Sequence, residues 1–357
     1  MPPMRAPHLA PALLCLLASG LAVGGCGGDS GADSTSRSAR PAQSRPAPAK
    51  SEFPSAHGRT LREVLKAADA RFEGSVASSA AVFYPGKNRY PFAVFDREDE
   101  EIVDAEVALY FAKVPTPKPG ARSRSGSRGQ AAKAQAQALD QPARGPFPAA
   151  IESLATKPAF RSGDEDAARV VYATDLHLPS AGEWRLGAIL KEDGELKGTP
   201  LPSVVVGEFE RVPRPGQAAP RIHTPTPQDV GGDLSRITTR IPPDDQNKVD
   251  YADALGKEPI VLLFATPEFC QSRVCGPVLD VAEQAQEEFD DEATFIHMEI
   301  YNENDPGKGV RPQVRKFHLP TEPFLFTVDS DGVIADAVEG AFGLNLMHEA
   351  VDKAIAR

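Results

Sequence analysis

Pro259-Ile260-Val261-Leu262-Leu263-Phe264-Ala265-Thr266-Pro267-Glu268-Phe269-Cys270-Gln271-Ser272-Arg273-Val274-Cys275-Gly276-Pro277 is the stretch on which the reading turns. After its opening proline, Ile260 to Ala265 are continuously apolar, the pattern of a strand covered on both faces. Cys270 and Cys275 follow, with Arg273 between them, and the segment closes on Gly276-Pro277. Proline suits the first turn of a helix, and beyond it Val278, Leu279, Ala282, Ala285 and Phe289 recur at a helical period. A helix that opens beside two thiols offers them unpaired N–H groups and the positive end of its dipole, both of which favour a thiolate.

Working outward, Ala293 to Ile300 reads as a second strand, Val310 to Phe317 as a short helix and Phe324 to Val328 as a third strand. Asp329-Ser330-Asp331-Gly332 is a hairpin turn, since no bidentate Glu follows at the spacing of a calcium loop. Val333 to Val338 is a fourth strand, and Leu344, Met347, Val351 and Ile355 line one face of a final helix. The order β-α-β-α-β-β-α, with two cysteines just after the first strand, resembles the thioredoxin family over about residues 255–357. Pro323 stands where that family carries its cis-proline, and Gly340 matches a family glycine. The resemblance implies an α/β thioredoxin-like fold for residues 229–357 and thiol–disulfide exchange through Cys270 and Cys275, with Pro323 beside them.

The departures from the family are specific. Its cysteines are spaced C-x-x-C; here four residues intervene. Leu262 and Leu263 occupy the strand that carries the family's buried acid, Phe269 replaces the Trp before the first cysteine, and Phe324 follows Pro323 in place of the frequent Thr. Glu268 is near in sequence but expected to be exposed. By order after the strand, Cys270 is the attacking thiol and Cys275 its resolver; by local sequence, Cys275-Gly276-Pro277 matches the family's attacking Cys-Gly-Pro, and Arg273 could lower either pKa. Two other readings stay open. The pair could be an inert disulfide in a binding or scaffold protein. Alternatively, two thiolates and an imidazole suit Cu(I), as in copper-delivery proteins of the Sco type; His318 is then the candidate third ligand, with His297 on a strand. Exchange itself needs no cofactor.

The other two of the four cysteines belong to the N-terminus. Residues 1–25 combine Arg5 with a short apolar run from Leu9 to Val23, the pattern of a secretory signal. Val23-Gly24-Gly25-Cys26 resembles the bacterial lipoprotein signal, which implies that Cys15 is removed and Cys26 carries lipid. Residues 26–57, rich in Gly, Ser, Ala and Pro, read as a flexible tether. The chain is thus expected at the extracytoplasmic face of a bacterial membrane, where disulfides persist.

Residues 58–210 show short apolar runs separated by turns, which predicts an antiparallel sandwich. Ser180-Ala181-Gly182-Glu183-Trp184 before an alternating strand resembles a late hairpin of bacterial Ig-like domains, with Trp184 in the core. Residues 115–145, with six Lys or Arg against Asp140 alone, read as a disordered insertion, and residues 211–228, with five prolines, as a linker. The chain of 357 residues carries a net charge of −11, which argues against nucleic acid as a partner. From residue 225 onward there are 25 Asp or Glu against 11 Lys or Arg, so the acidity lies in the last part of the chain. The expected partners are the membrane, through Cys26, and exported protein thiols or disulfides. No Ser-His-Asp order, phosphate loop or paired-carboxylate motif stands out.

Overall fold

Strand-forming alternation dominates residues 70–206, and the chain there forms nine strands. A computed structural model describes residues 42–116, 127–163, 167–270 and 272–356. The expected signal, the lipidation at Cys26, the tether up to residue 41 and residues 117–126 of the insertion lie outside the described residues. In chain order the elements are α1 (Leu61–Lys66), β1 (Ala70–Arg71), β2 (Ser75–Ser78), β3 (Gly86–Phe95), β4 (Glu106–Lys113), α2 (Ser127–Ala138), β5 (Arg144–Pro148), β6 (Ala150–Ser153), β7 (Val170–Leu178), β8 (Gly182–Glu192) and β9 (Glu195–Val206). They continue with α3 (Tyr251–Ala254), β10 (Ile260–Phe264), α4 (Cys275–Phe289), β11 (Thr294–Met298), α5 (Pro312–Lys316), β12 (Phe324–Val328), β13 (Ile334–Glu339) and α6 (Leu344–Ile355).

The first nine strands make two sheets, ordered β1-β9-β8-β4-β5 and β2-β3-β7-β6. Their inward residues share one core that includes Phe92, Val107, Leu109, Tyr172, Trp184 and Leu186. Phe111 meets Trp184 edge to face at 5.4 Å, a favoured geometry for an aromatic pair. The third sheet, β11-β10-β12-β13, has β10 parallel to β11 and antiparallel to β12. The unbroken apolar run of β10 follows from burial of both faces. Val261, Leu263 and Ala265 pack on α4 and α6, whereas Ile260, Leu262 and Phe264 face Tyr251, Phe317 and Phe326.

The expected pairing of an α/β thioredoxin-like fold with an Ig-like sandwich is corrected by this layout. The molecule is mostly β, in three sheets, with only about 22% helix. Element order alone made the last part read as α/β. Two of its helices are single turns of 4 and 5 residues, and much of that sheet face is covered by irregular chain, including Val212 and Ile222. In the two-sheet region, β1 joins β9 in parallel, which departs from the expected antiparallel pattern.

Segments read as spacers are packed instead. In the expected tether, Arg45 and Ile151 exchange backbone hydrogen bonds of 2.8 and 2.9 Å, and Phe53 is buried. Within the insertion, α2 forms and β5 pairs with β4. The Pro-rich segment bonds along the turn before β13: Gly216 N donates to Ile334 O at 2.8 Å and Ala219 N to Gly332 O at 2.9 Å. The described residues from 42 to 356 accordingly form one compact unit.

Candidate functional site

β10 ends at Phe264, paired with Phe324 of β12. Beyond that pair, Ala265-Thr266 and Glu322-Pro323 leave the sheet side by side, and the first strand-end leads into the cysteine loop. Pro323 is joined to Glu322 by a cis peptide, and its carbonyl accepts a hydrogen bond from Gly340 N at 2.9 Å. The loop rejoins regular structure at Cys275, the first residue of α4.

The two thiols, both free, have opposite environments. Cys270 is partly exposed and lies against the start of α4, where its Sγ accepts from Cys275 N at 3.3 Å and sits 3.3 Å from Ser272 Oγ. Its pKa is drawn down to about 6, first by the hydrogen bond from the Cys275 thiol, with help from Ser272 and the backbone N–H groups of Val274 and Cys275, against the opposing effect of burial. Cys275 is fully buried, and burial, then the hydrogen bond to the Cys270 sulfur and the negative charge there, push its thiol well up. A hydrogen bond from the Thr266 backbone acts weakly in the other direction.

Glu322 is the acid that sequence reading missed. The strand beneath the cysteines carries no carboxylate, but Glu322 supplies one from the facing chain. It is pushed up to about 7, by burial first and then by the negative charge on Cys270. Burial and the charges of Glu322, Cys275 and Cys270, in that order, also raise the Tyr301 phenol, and Phe269 meets Tyr301 edge to face at 6.0 Å. The only available signal for Glu322 was its position immediately before Pro323. Glu268, nearer in sequence, is exposed as expected.

Arg273 and His318 do not take the roles suggested for them. Arg273 adopts a φ of 58° and turns away from the thiols: its Nη2 donates to Asp99 Oδ2 at 3.0 Å, and its carbonyl accepts from Ala168 N at 2.9 Å. It therefore fastens the loop to the two-sheet region rather than lowering a thiol pKa. A cavity of about 230 Å³ between loop and sheets, lined by Ser272, Arg273, Val274, Phe95 and Asp99 among others, is small for an organic ligand. His318 lies just past α5 and lines a different cavity, beside Arg211 and Arg221. Among the described residues no group of three or more His, Cys, Asp or Glu side chains is placed to hold a metal ion, so His318 is not brought to the cysteines. His297 is buried, with Nδ1 3.0 Å from Asp244 Oδ2 and Nε2 3.1 Å from Ala265 O, a structural position behind the loop.

Such a pair can exchange disulfides: one partly exposed sulfur with a stabilised thiolate, a second sulfur in reserve, and a carboxyl that titrates near neutrality. No protein-family model matches the chain, and no curated protein matches it.

Proposed function

We propose that this chain is a membrane-anchored, extracytoplasmic thiol–disulfide exchange protein acting through Cys270 and Cys275. The observation that carries the proposal is the asymmetry of the pair, a partly exposed Cys270 thiol held down at about 6 beside a fully buried Cys275. The Cys270 thiolate attacks a partner disulfide, forming a mixed disulfide and releasing one partner sulfur as a thiolate, which takes a proton from water. Cys275 then gives up its proton, to the Glu322 carboxylate or to water, and attacks the Cys270 sulfur. The partner's second sulfur leaves; the partner has gained two electrons, and the Cys270–Cys275 pair has lost them. Run in reverse, the same steps oxidise a partner dithiol. Support for the anchored location comes from residues 1–26, whose apolar run ends in Val23-Gly24-Gly25-Cys26.

Trapping tests the proposal. Cys275→Ser leaves Cys270 able to attack but unable to be released, so it is expected to accumulate mixed disulfides in the parent cells, whereas Cys270→Ser captures none. If neither variant captures a partner and dithiothreitol leaves the oxidised, folded wild-type pair intact, the cysteines are an inert brace and the exchange proposal fails.

A further inference from the structure

We propose that the cavity between the Pro-rich segment and the end of α5 binds a phosphate-type anion. The cavity measures about 440 Å³, and its lining includes Arg211, Pro213, Pro220, Arg221, Lys316 and His318 but no carboxylate. This is notable because residues 225–357, which form one wall, hold 25 acidic against 11 basic side chains. Several cations elsewhere on that part of the chain are paired with carboxylates, among them Lys308 with Glu303 and Lys353 with Asp336, both at 2.6 Å. Among the described residues Arg211, Arg221 and Lys316 have no acidic partner, although all three are exposed around one concave space.

The backbone fixes where these groups stand. Arg211 and Arg221 each precede a buried anchor, Val212 at 2% and Ile222 at 7% exposure. Between them, Ile334 N donates to Gln217 O at 2.9 Å, and the bonds from Gly216 N and Ala219 N hold the segment against the start of β13. Lys316 is the last residue of α5, whose core contact is the buried Val314. Guanidinium groups present forked N–H donors that match the oxygens of a phosphate, and a lysine adds a compact charge. The volume leaves room for a group attached to the phosphate, so the anion can be free in solution or belong to an anionic lipid headgroup.

The test uses the full chain at low ionic strength, with two probes: inorganic phosphate followed by titration calorimetry, and sedimentation with phosphatidylglycerol or phosphatidylcholine vesicles. Saturable binding of phosphate, on the order of 1 mM, or selective sedimentation with phosphatidylglycerol is expected. Arg211→Glu/Lys316→Glu should weaken it at least about tenfold, and Lys50→Glu/Lys257→Glu, the same charge change outside the cavity, should not. Binding of phosphate with this pattern supports a soluble ligand; binding of phosphatidylglycerol vesicles with this pattern supports a lipid headgroup. If wild-type protein binds neither probe, or if the two double variants are weakened equally, the cavity is not an anion site and the proposal is overturned.

Discussion

Cys270 receives hydrogen bonds from the start of α4, whereas Cys275, although it begins that helix, is sealed beneath the loop, so a difference of a few ångströms separates a stabilised thiolate from a suppressed one. A thiol held at about 6 is roughly nine-tenths ionised at pH 7, against a few per cent for an ordinary cysteine. Of this pair, alkylation of the reduced folded protein by iodoacetamide is therefore expected to modify Cys270 and spare Cys275, at a rate that rises with a midpoint near pH 6; mass spectrometry of the labelled peptides reads both. Ser272→Ala removes one stabilising contact and should move that midpoint upward. Because Glu322 titrates at about 7 beside Cys270, the wild-type profile should carry a second inflection near that pH, absent in Glu322→Gln. The cysteines were legible in the sequence because a strand, a loop and a proline-opened helix are local signals. Glu322 was not, because only the β10–β12 register brings it to the thiols.

The elements that hold the site are fastened by buried charges. On α4, Asp280 accepts from Arg240 Nε at 3.0 Å and from Ser162 N and Oγ at 2.8 and 3.0 Å, and Arg240 also donates to Phe160 O at 2.7 Å. This network ties α4 to the connection between β6 and β7. Removing one partner of a buried ion pair strands the other, so Asp280→Ala is expected to cost about 3–5 kcal/mol in denaturant unfolding. Arg240 and Asp280 together replaced by apolar residues should cost less. Behind β10, His297 spans Asp244 and the Ala265 carbonyl, just before the loop. Burial alone would drive its pKa down, but the Asp244 carboxylate outweighs burial and holds it at about 9. A histidine whose folded pKa is raised contributes its stabilisation fully below its unfolded value of 6.5 and loses it as pH climbs through 9. Tm should therefore fall between about pH 6.5 and 9, and His297→Gln, though less stable throughout, should lose most of that slope. The strands and helices around these pairs were legible from periodicity, and most predicted boundaries lie within a few residues of those observed. The pairs were not, since Arg240 lies 40 residues from Asp280 and Asp244 lies 53 from His297, with no motif linking either pair.

At the scale of the whole molecule, the two-sheet region and the last part of the chain are joined by polar contacts at their junction. Glu339, at the end of β13, accepts from Ala81 N and Val82 N at 2.8 and 2.9 Å and from Thr321 Oγ1 at 2.5 Å. Arg89 bridges Glu152 at 2.9 Å and the Ala341 carbonyl at 2.8 Å. Gly340 makes the approach possible: a Cβ there would lie 2.5 Å from the Ser79 carbonyl oxygen, and its φ of 76° suits glycine. Residues 41–357 should accordingly unfold in one calorimetric transition. Glu339→Ala, which leaves two backbone donors unpaired, is expected to lower stability by about 2–4 kcal/mol and to bring the transition toward two steps. This unity was the least legible feature in the sequence. The Pro-rich segment and the residues near Arg45 resemble spacers in composition, and their packing rests on a few residues such as Val212, Ile222 and Phe53 that give no periodic signal.

The loop between the thiols reaches across this junction through Arg273, whose carbonyl and guanidinium are both held by the two-sheet region. The spacing of four intervening residues is thus a matter of span as much as of sulfur chemistry. A loop trimmed to two would lose roughly 7 Å of reach toward Ala168 and Asp99, where Arg273 is now held. Loop length and the position of a neighbouring sheet have become a single measurement, and neither can be altered without refitting the other.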